Sequence, residues 1–268
     1  MSKTFLGTSG WSYDEWVGPV YRTRSTPKLK YYSSVFSSVE IDSTFYAIPK
    51  KEMVSGWIRN TPVGFRFCAK LPQIITHKKR LENSESDLTQ FLQLIKPLSD
   101  AGKLAAVLIQ LAPSFTDKSV KSLEEFFQIL PDNMSFAVEF RNKTWEKKET
   151  HNLLEKYKIS SVITDSPLEL DFDTTTEWAF IRYHGRGKKI WYDYKYSIPE
   201  ISEFAKKLEK IQDKTKIVYG YFNNHYGGNA VENALQLIQV SSSSLSSQQI
   251  ELLNRFRLKN AELDSFMN

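Results

Sequence analysis

The chain has 268 residues, 41% hydrophobic and 25% charged, and its 36 basic against 31 acidic side chains give a formal net charge of +5. This composition excludes a disordered, collagenous or coiled-coil chain, and no apolar run approaches the ~18 residues a membrane helix needs. A single cysteine, Cys68, excludes an internal disulfide and a cysteine-cluster metal site.

The first residues carry neither a long apolar core nor a small-residue cleavage site, so no signal peptide is expected and the cytoplasm is the default location. Strand-like and helix-like stretches then alternate. Residues 4–7 read as a strand and 27–36 as a helix; 38–41 as a strand and 50–60 as a helix; 65–70 as a strand and 86–100 as a helix. A strand at 105–110 precedes a helix at 119–130, where Leu123, Phe126, Phe127 and Leu130 form one stripe and Pro131 ends the run. A strand at 135–139 leads to a helix at 147–158. After a strand at 161–164, residues 165–178 carry Pro167 and repeated threonines without a helical stripe, which predicts a loop. A strand at 179–183, a helix at 199–213 striped by Ile201, Phe204, Leu208 and Ile211, a strand at 216–222 and a helix at 229–239 complete the series. The serine run 241–247 reads as a flexible joint and 248–268 as one further helix, so residues 1–240 form the expected domain and 241–268 a tail. Eight strands and seven helices in strict alternation predict an α/β fold, a (β/α)8 TIM barrel in which one crossover lacks a regular helix. An open doubly wound sheet is the alternative, but no glycine-rich phosphate loop accompanies it.

Nearly every strand finishes in a polar or ionisable residue. Glu40 and Asp42 end the second, Lys70 the third, Gln110 the fourth, and Glu139 with Arg141 the fifth. Asp165 ends the sixth, Arg182 with His184 the seventh, and Asn223 with Asn224 the eighth. Side chains two apart on a strand share a face, so Glu40/Asp42, Glu139/Arg141, Arg182/His184 and Tyr221/Asn223 can point together toward a barrel axis. In this fold the C-terminal ends of the strands carry the chemistry. Carboxylates in a mostly cationic mouth should have lowered pKa values. The bland alternative is a structural ring of salt bridges closing the barrel top.

Three stretches are basic and interleaved with aromatics. Arg22, Arg24, Lys28 and Lys30 lie in a run without acids, as do Arg59, Arg66, Lys70, His77, Lys78, Lys79 and Arg80. The third holds Arg182, His184, Arg186, Lys188, Lys189 and Lys195 beside Trp191, Tyr192, Tyr194 and Tyr196. Meeting in one place, they would suit a polyanion with stackable bases. Apart, they are solvated faces.

Motifs spread along the whole chain carry a family resemblance. They include Gly7-Thr8-Ser9-Gly10-Trp11, Val39-Glu40-Ile41-Asp42-Ser43-Thr44-Phe45-Tyr46, Phe65-Arg66-Phe67-Cys68-Ala69-Lys70, Val138-Glu139-Phe140-Arg141, Ile181-Arg182-Tyr183-His184-Gly185-Arg186 and Gly220-Tyr221-Phe222-Asn223-Asn224. Over about residues 4–239 the chain resembles the DUF72 (YecE-like) family of uncharacterised TIM-barrel proteins. The resemblance implies a barrel related in shape to endonuclease IV and xylose isomerase-like barrels. It implies no activity, since DNA binding for such a barrel rests on shape, a fold-level analogy. Asp42 stands where the family pattern usually has Asn, and the tail lies outside the pattern.

The leading functional expectation is a nucleic-acid-binding enzyme, a nuclease-like phosphodiester hydrolase working at the C-terminal rim. Its candidate catalytic groups are Glu139, Asp165, His184 and Glu40. Lys70, His77, Arg80, Arg141, Arg182 and Arg186, with Asn223 and Asn224, would hold phosphates. Trp11, Trp145, Trp191 or Tyr192 would stack a base or sugar. Glu139, Asp165 and Asp42 are hard oxygen ligands that would suit Mg²⁺ or Mn²⁺, whereas four histidines are too few for a His-rich zinc cluster. Two alternatives stay open. One is an isomerase or lyase acting on a small phosphorylated or sugar-like substrate, with Lys70 as a Schiff-base amine or general base. The other is a non-catalytic binding protein. Cys68, deeper on the face of Lys70, reads as a packed thiol, and His151 and His225 as surface residues.

Overall fold

Each of the eight strand-like runs becomes a strand, and each strand pairs in parallel with its neighbours. The computed structural model describes residues 2–241 and 244–267, with side chains as far as Leu258. The strands are β1 (Lys3–Thr8), β2 (Ser38–Ile41), β3 (Arg66–Lys70), β4 (Leu104–Gln110), β5 (Phe136–Glu139), β6 (Ser160–Asp165), β7 (Trp178–Tyr183) and β8 (Ile217–Phe222). They form one sheet in the order β1-β8-β7-β6-β5-β4-β3-β2. The chain is thus a (β/α)8 TIM barrel, nearly closed, since β1 and β2 meet only at the Ser9–Glu40 bridge, where the Gly10 amide donates to the Glu40 carbonyl at 2.8 Å.

At the seam between those two strands a tyrosine does the work of a ladder. The Tyr32 hydroxyl accepts from the Thr8 amide and the Thr8 hydroxyl, both at 2.9 Å, and lies 3.1 Å from the Ser38 carbonyl, to which it donates. Gly7 is required there, because a Cβ would sit 2.2 Å from the Ser38 oxygen and 2.8 Å from the Tyr32 hydroxyl.

Helices α1 (Lys28–Val35), α3 (Lys51–Arg59), α4 (Glu85–Asp100), α5 (Val120–Gln128), α6 (Lys148–Lys156), α7 (Ile198–Lys214) and α8 (Asn229–Ser241) follow the strands in turn, with the short α2 (Ser43–Tyr46) after β2. Their stripes bury against the outer sheet face, as Leu123, Phe126 and Phe127 of α5 and Ile201, Phe204 and Leu208 of α7 do. A capping box starts α7: Ser197 and Glu200 satisfy each other's backbone amides. The crossover from β6 to β7 has no helix. Leu170 is buried there, Phe172 stacks on Phe140 at 5.2 Å, and the Thr175 hydroxyl accepts from the Ser161 amide.

The barrel interior is filled by Cys68, Ala106, Leu108, Ala137, Val162, Phe180, Tyr219 and Tyr221. Above this plug, toward the C-terminal ends of the strands, inward positions turn polar. The last helix, α9 (Ser247–Met267), packs on α1 and α8 through Leu252, Leu253 and Phe256. Of the expected serine-rich joint, Ser242 and Ser243 lie outside the described residues.

The short elements carried no sequence signal, among them α2 and a π-helical turn Ile74–Lys78. Four or five residues are too few for a periodic stripe.

Candidate functional site

Arg182 sits at the centre of the mouth. It leaves β7 inward and is fully buried between two equally buried carboxylates. Its Nη1 lies 2.5 Å from Glu139 Oε2 and its Nη2 2.6 Å from Glu40 Oε1. The Ser9 hydroxyl donates to the same Glu40 oxygen. Glu139 also pairs with Arg141 and accepts from the Gln110 amide at 3.1 Å. Burial opposes its charge, but Arg141, Arg182 and His184 together hold the Glu139 carboxyl well below its ordinary range. Arg182 is held charged in return: burial opposes this, and Glu40 and Glu139 outweigh it.

His184 lies fully buried beside this group. Its Nδ1 lies 3.1 Å from the Asn223 amide nitrogen, and its Nε2 lies 3.1 Å from Glu139 Oε1 and 3.3 Å from Arg141 Nη2. Burial, helped by the Arg141 and Arg182 guanidiniums, brings its pKa down to about 3, so the ring is neutral near pH 7.

Lys70 enters the mouth from β3. Its Nζ is 2.9 Å from Asp42 Oδ1 and 4.1 Å from the centre of the Phe45 ring. Burial lowers the amine's pKa against the opposing pull of Asp42. Asp42 is lowered too, because Lys70 and Arg182 outweigh its burial. The π-helical turn brings His77 edge-on to Phe45 at 4.9 Å, with its Nδ1 2.9 Å from the Thr76 hydroxyl. Burial and then the charges of Lys70 and Arg141 lower its pKa, which puts His77 at the same mouth.

An aromatic wall completes the mouth. Tyr13 and His225 stack at 4.4 Å and 3°, and Tyr192 stacks on the same His225 ring at 5.9 Å. The Tyr13 hydroxyl donates to the Ser9 carbonyl at 2.8 Å. Trp191, in the loop after β7, covers the Arg141 guanidinium at 5.4 Å.

Glu40, Asp42, Lys70, His77, Glu139, Arg141, Arg182, His184, Asn223, Trp191 and Tyr192 are therefore brought together. The expectation of a mostly cationic mouth is corrected. Three carboxylates (Glu40, Asp42, Glu139) meet three cations (Lys70, Arg141, Arg182), and the imidazole is neutral.

Other expected residues are placed elsewhere. Asp165 pairs in register with Tyr183, and Thr164 with Arg182. Asp165 thus faces the helices, where Arg186 grips it through two nitrogens and the Tyr196 hydroxyl donates to it at 2.6 Å. Arg186 is also held by Glu200. Trp11 packs edge-on against Trp57 and Phe67, and Trp145 is buried between Phe115 and Phe140. Asn224 is fully buried and ties the Tyr194 carbonyl to Asn233. Arg80 binds Ser114 and covers Phe115. The first basic stretch stays apart: Arg22 pairs with Glu251 and Lys28 with Asp14.

The residues proposed for Mg²⁺ or Mn²⁺ do not fit a metal centre. Glu139, Asp165 and Asp42 each face a different cation of the protein, and no three His, Cys, Asp or Glu side chains among the described residues converge to hold an ion.

Sequence reasoning missed Ser9, Thr164, Tyr13 and His225. Thr164 Oγ1 and Glu40 Oε2 are buried without hydrogen-bond partners among the described residues. The parity of Thr164 with Arg182 was the available signal for the first. Nothing in the sequence marked His225, which was expected at the surface.

The family model "Protein of unknown function DUF72" matches residues 5–252. UPF0759 protein YunF of Bacillus subtilis is 29% identical, over 92% of this chain and 99% of that protein. UPF0759 protein YecE of Escherichia coli K12 is 31% identical over 60% of this chain and 59% of its own. Among solved structures, a DUF72 family protein from Thermotoga maritima superposes with a TM-score of 0.81 at 33% identity, covering 88% of this chain and 98% of that one. One from Enterococcus faecalis gives 0.80 at 28% identity, covering 91% and 97%. No helix among the described residues is long and apolar enough to cross a membrane.

Proposed function

The chain belongs to the DUF72 family, whose description assigns no activity, and from that premise we propose that it is an enzyme performing proton transfer on a small, sugar-like substrate at the barrel mouth. One observation carries this reading: all three cations of the mouth are paired to its three carboxylates, Lys70 to Asp42, Arg141 to Glu139, and Arg182 to both Glu40 and Glu139. A phosphodiester needs cations that are free to meet it. A hydroxylated ring needs hydrogen-bonding groups and aromatic faces instead, and Asp42, Asn223 and the Tyr13–His225–Tyr192 stack supply both kinds.

In this reading Lys70 and Asp42 face the substrate, because they are the ion pair nearest solvent: the Asp42 side chain keeps 21% exposure, while Glu40, Glu139 and Arg182 keep none. The lowered pKa of Lys70 suits an amine that gains and loses a proton. The Glu40–Arg182–Glu139–His184 network is the rigid floor that fixes it. Titration calorimetry against a panel of monosaccharides, with Lys70→Met as control, tests the reading. Binding by a sugar in the wild type and its loss in the variant support it. Oligonucleotide binding without any sugar binding overturns it.

A nucleic-acid phosphodiesterase is a second reading, favoured by one observation. Lys78, Lys188 and Lys189, in the loops after β3 and β7, are exposed and make no ion pair among the described residues. They would meet phosphates from the rim, with Trp191 and Tyr192 beside them for a base. Metal-assisted hydrolysis is not part of either reading, because the carboxylates do not fit an ion.

A further inference from the structure

We propose that Lys70 forms an imine with a carbonyl-bearing substrate, an aldehyde or ketone of sugar-like chemistry, and that Asp42 holds the resulting iminium. This rests on the small-substrate reading and names the substrate's reacting group.

Two buried lysines of this molecule hold their ammonium groups differently. Lys103 is 7% exposed, and its ammonium donates three hydrogen bonds, to the Ile58 carbonyl at 2.9 Å, the Thr61 carbonyl at 2.7 Å and the Thr61 hydroxyl at 2.8 Å. All three of its hydrogens are satisfied, so it is a fixed structural cation. Lys70 is as buried, at 5%. Among the described residues its only hydrogen-bond acceptor is Asp42, and an aromatic ring covers another side. An ammonium with one acceptor loses its proton far more cheaply than one with three. Its position also differs. Lys103 precedes β4 at the closed end of the barrel, while Lys70 ends β3 at the mouth where substrates enter this fold. Arg182 and the carboxylate of Asp42 then act on it from opposite directions, the first lowering and the second raising its proton affinity.

The step balances without a redox partner. The ammonium releases a proton, the free lone pair adds to the carbonyl carbon, the nitrogen sheds a second proton, and the carbonyl oxygen takes up both and leaves as water. Ammonium plus carbonyl gives iminium plus water, with the positive charge conserved and Asp42 still opposite it. His77 stands edge-on to the same Phe45 ring that Lys70 lies over, and would move protons from there.

Glycolaldehyde with sodium cyanoborohydride, applied to the full-length protein near pH 7, tests this by fixing any imine as a secondary amine that peptide mass spectrometry locates. Lys70 should be labelled faster than exposed lysines such as Lys188, because burial lowers its pKa and leaves more of it as the free amine. Lys103 should stay unlabelled. Asp42→Asn should move the pH of half-maximal labelling downward, because the carboxylate that retains the proton is gone. A purely structural Lys70 would show no such movement. Labelling of Lys70 no faster than Lys188, or a pH dependence unmoved in Asp42→Asn, overturns the proposal. If sugars still bind the wild type while Lys70 resists labelling, the imine falls and the small-substrate reading stands. If neither occurs, both fall.

Discussion

At the residue scale the mouth is governed by pairing. Parity made Glu40, Glu139, Arg182 and His184 legible, since each shares a face with a second polar residue or ends its strand inward. Asp165 was not legible in this way. Ile163, two residues before it, faces the helix layer with it, and only the register against β7 reveals that. Two predictions belong here. Glu139→Gln leaves Arg141 and Arg182 without the charge that matches them, and should cost about 3–5 kcal/mol in urea unfolding, as breaking a buried pair does. His184 has a pKa of about 3 when folded, against about 6.5 when unfolded. As pH falls below 6.5 the unfolded chain therefore binds the proton first. The contribution of His184 is complete above about pH 6.5 and is lost toward pH 3, at about 1.4 kcal/mol per unit. Unfolding of His184→Gln, followed over that range, should lack this slope.

At the element scale the strands and helices follow from periodicity alone. The helix-free crossover was also legible, because Pro167 and the threonines that follow it cannot make an apolar stripe. What escaped are elements of about one turn, among them α2 and the π-helical turn, and these carry Phe45 and His77 to the mouth. The seam between β1 and β2 was equally invisible, because a tyrosine from α1 closes it across 24 residues of chain. Tyr32→Phe removes one donor and one double acceptor at a buried position and should cost about 1–3 kcal/mol. Hydrogen exchange should then speed up at the Thr8 amide while the β7–β8 ladder stays protected. Unchanged exchange at Thr8 would mean that the hydroxyl contributes nothing to closure.

At the scale of the whole molecule a net charge of +5 says little about the mouth. The excess lies outside it, and the three stretches that looked basic in sequence do not converge. The second and third reach the rim, the first does not, and the cations that arrive find carboxylates there. Oligonucleotide binding should accordingly be weak and shallow in its salt dependence. With Lys78, Lys188 and Lys189 as the exposed rim lysines that make no ion pair among the described residues, log K against log salt for a single strand bound at the mouth should have a slope no steeper than about −2. A slope twice as steep would require the ion pairs of the mouth to open.

The central claim is that the mouth balances its own charge and so favours a neutral hydroxylated ligand over an anion. The most direct measurement is a pair of crystal soaks at equal concentration, one in a ketose such as fructose and one in inorganic phosphate. Sugar density between Lys70 and the Tyr13–His225 stack, with no phosphate density there, is the predicted result. Phosphate bound to Lys70, Arg141 or Arg182, with their carboxylate pairs broken, would contradict it.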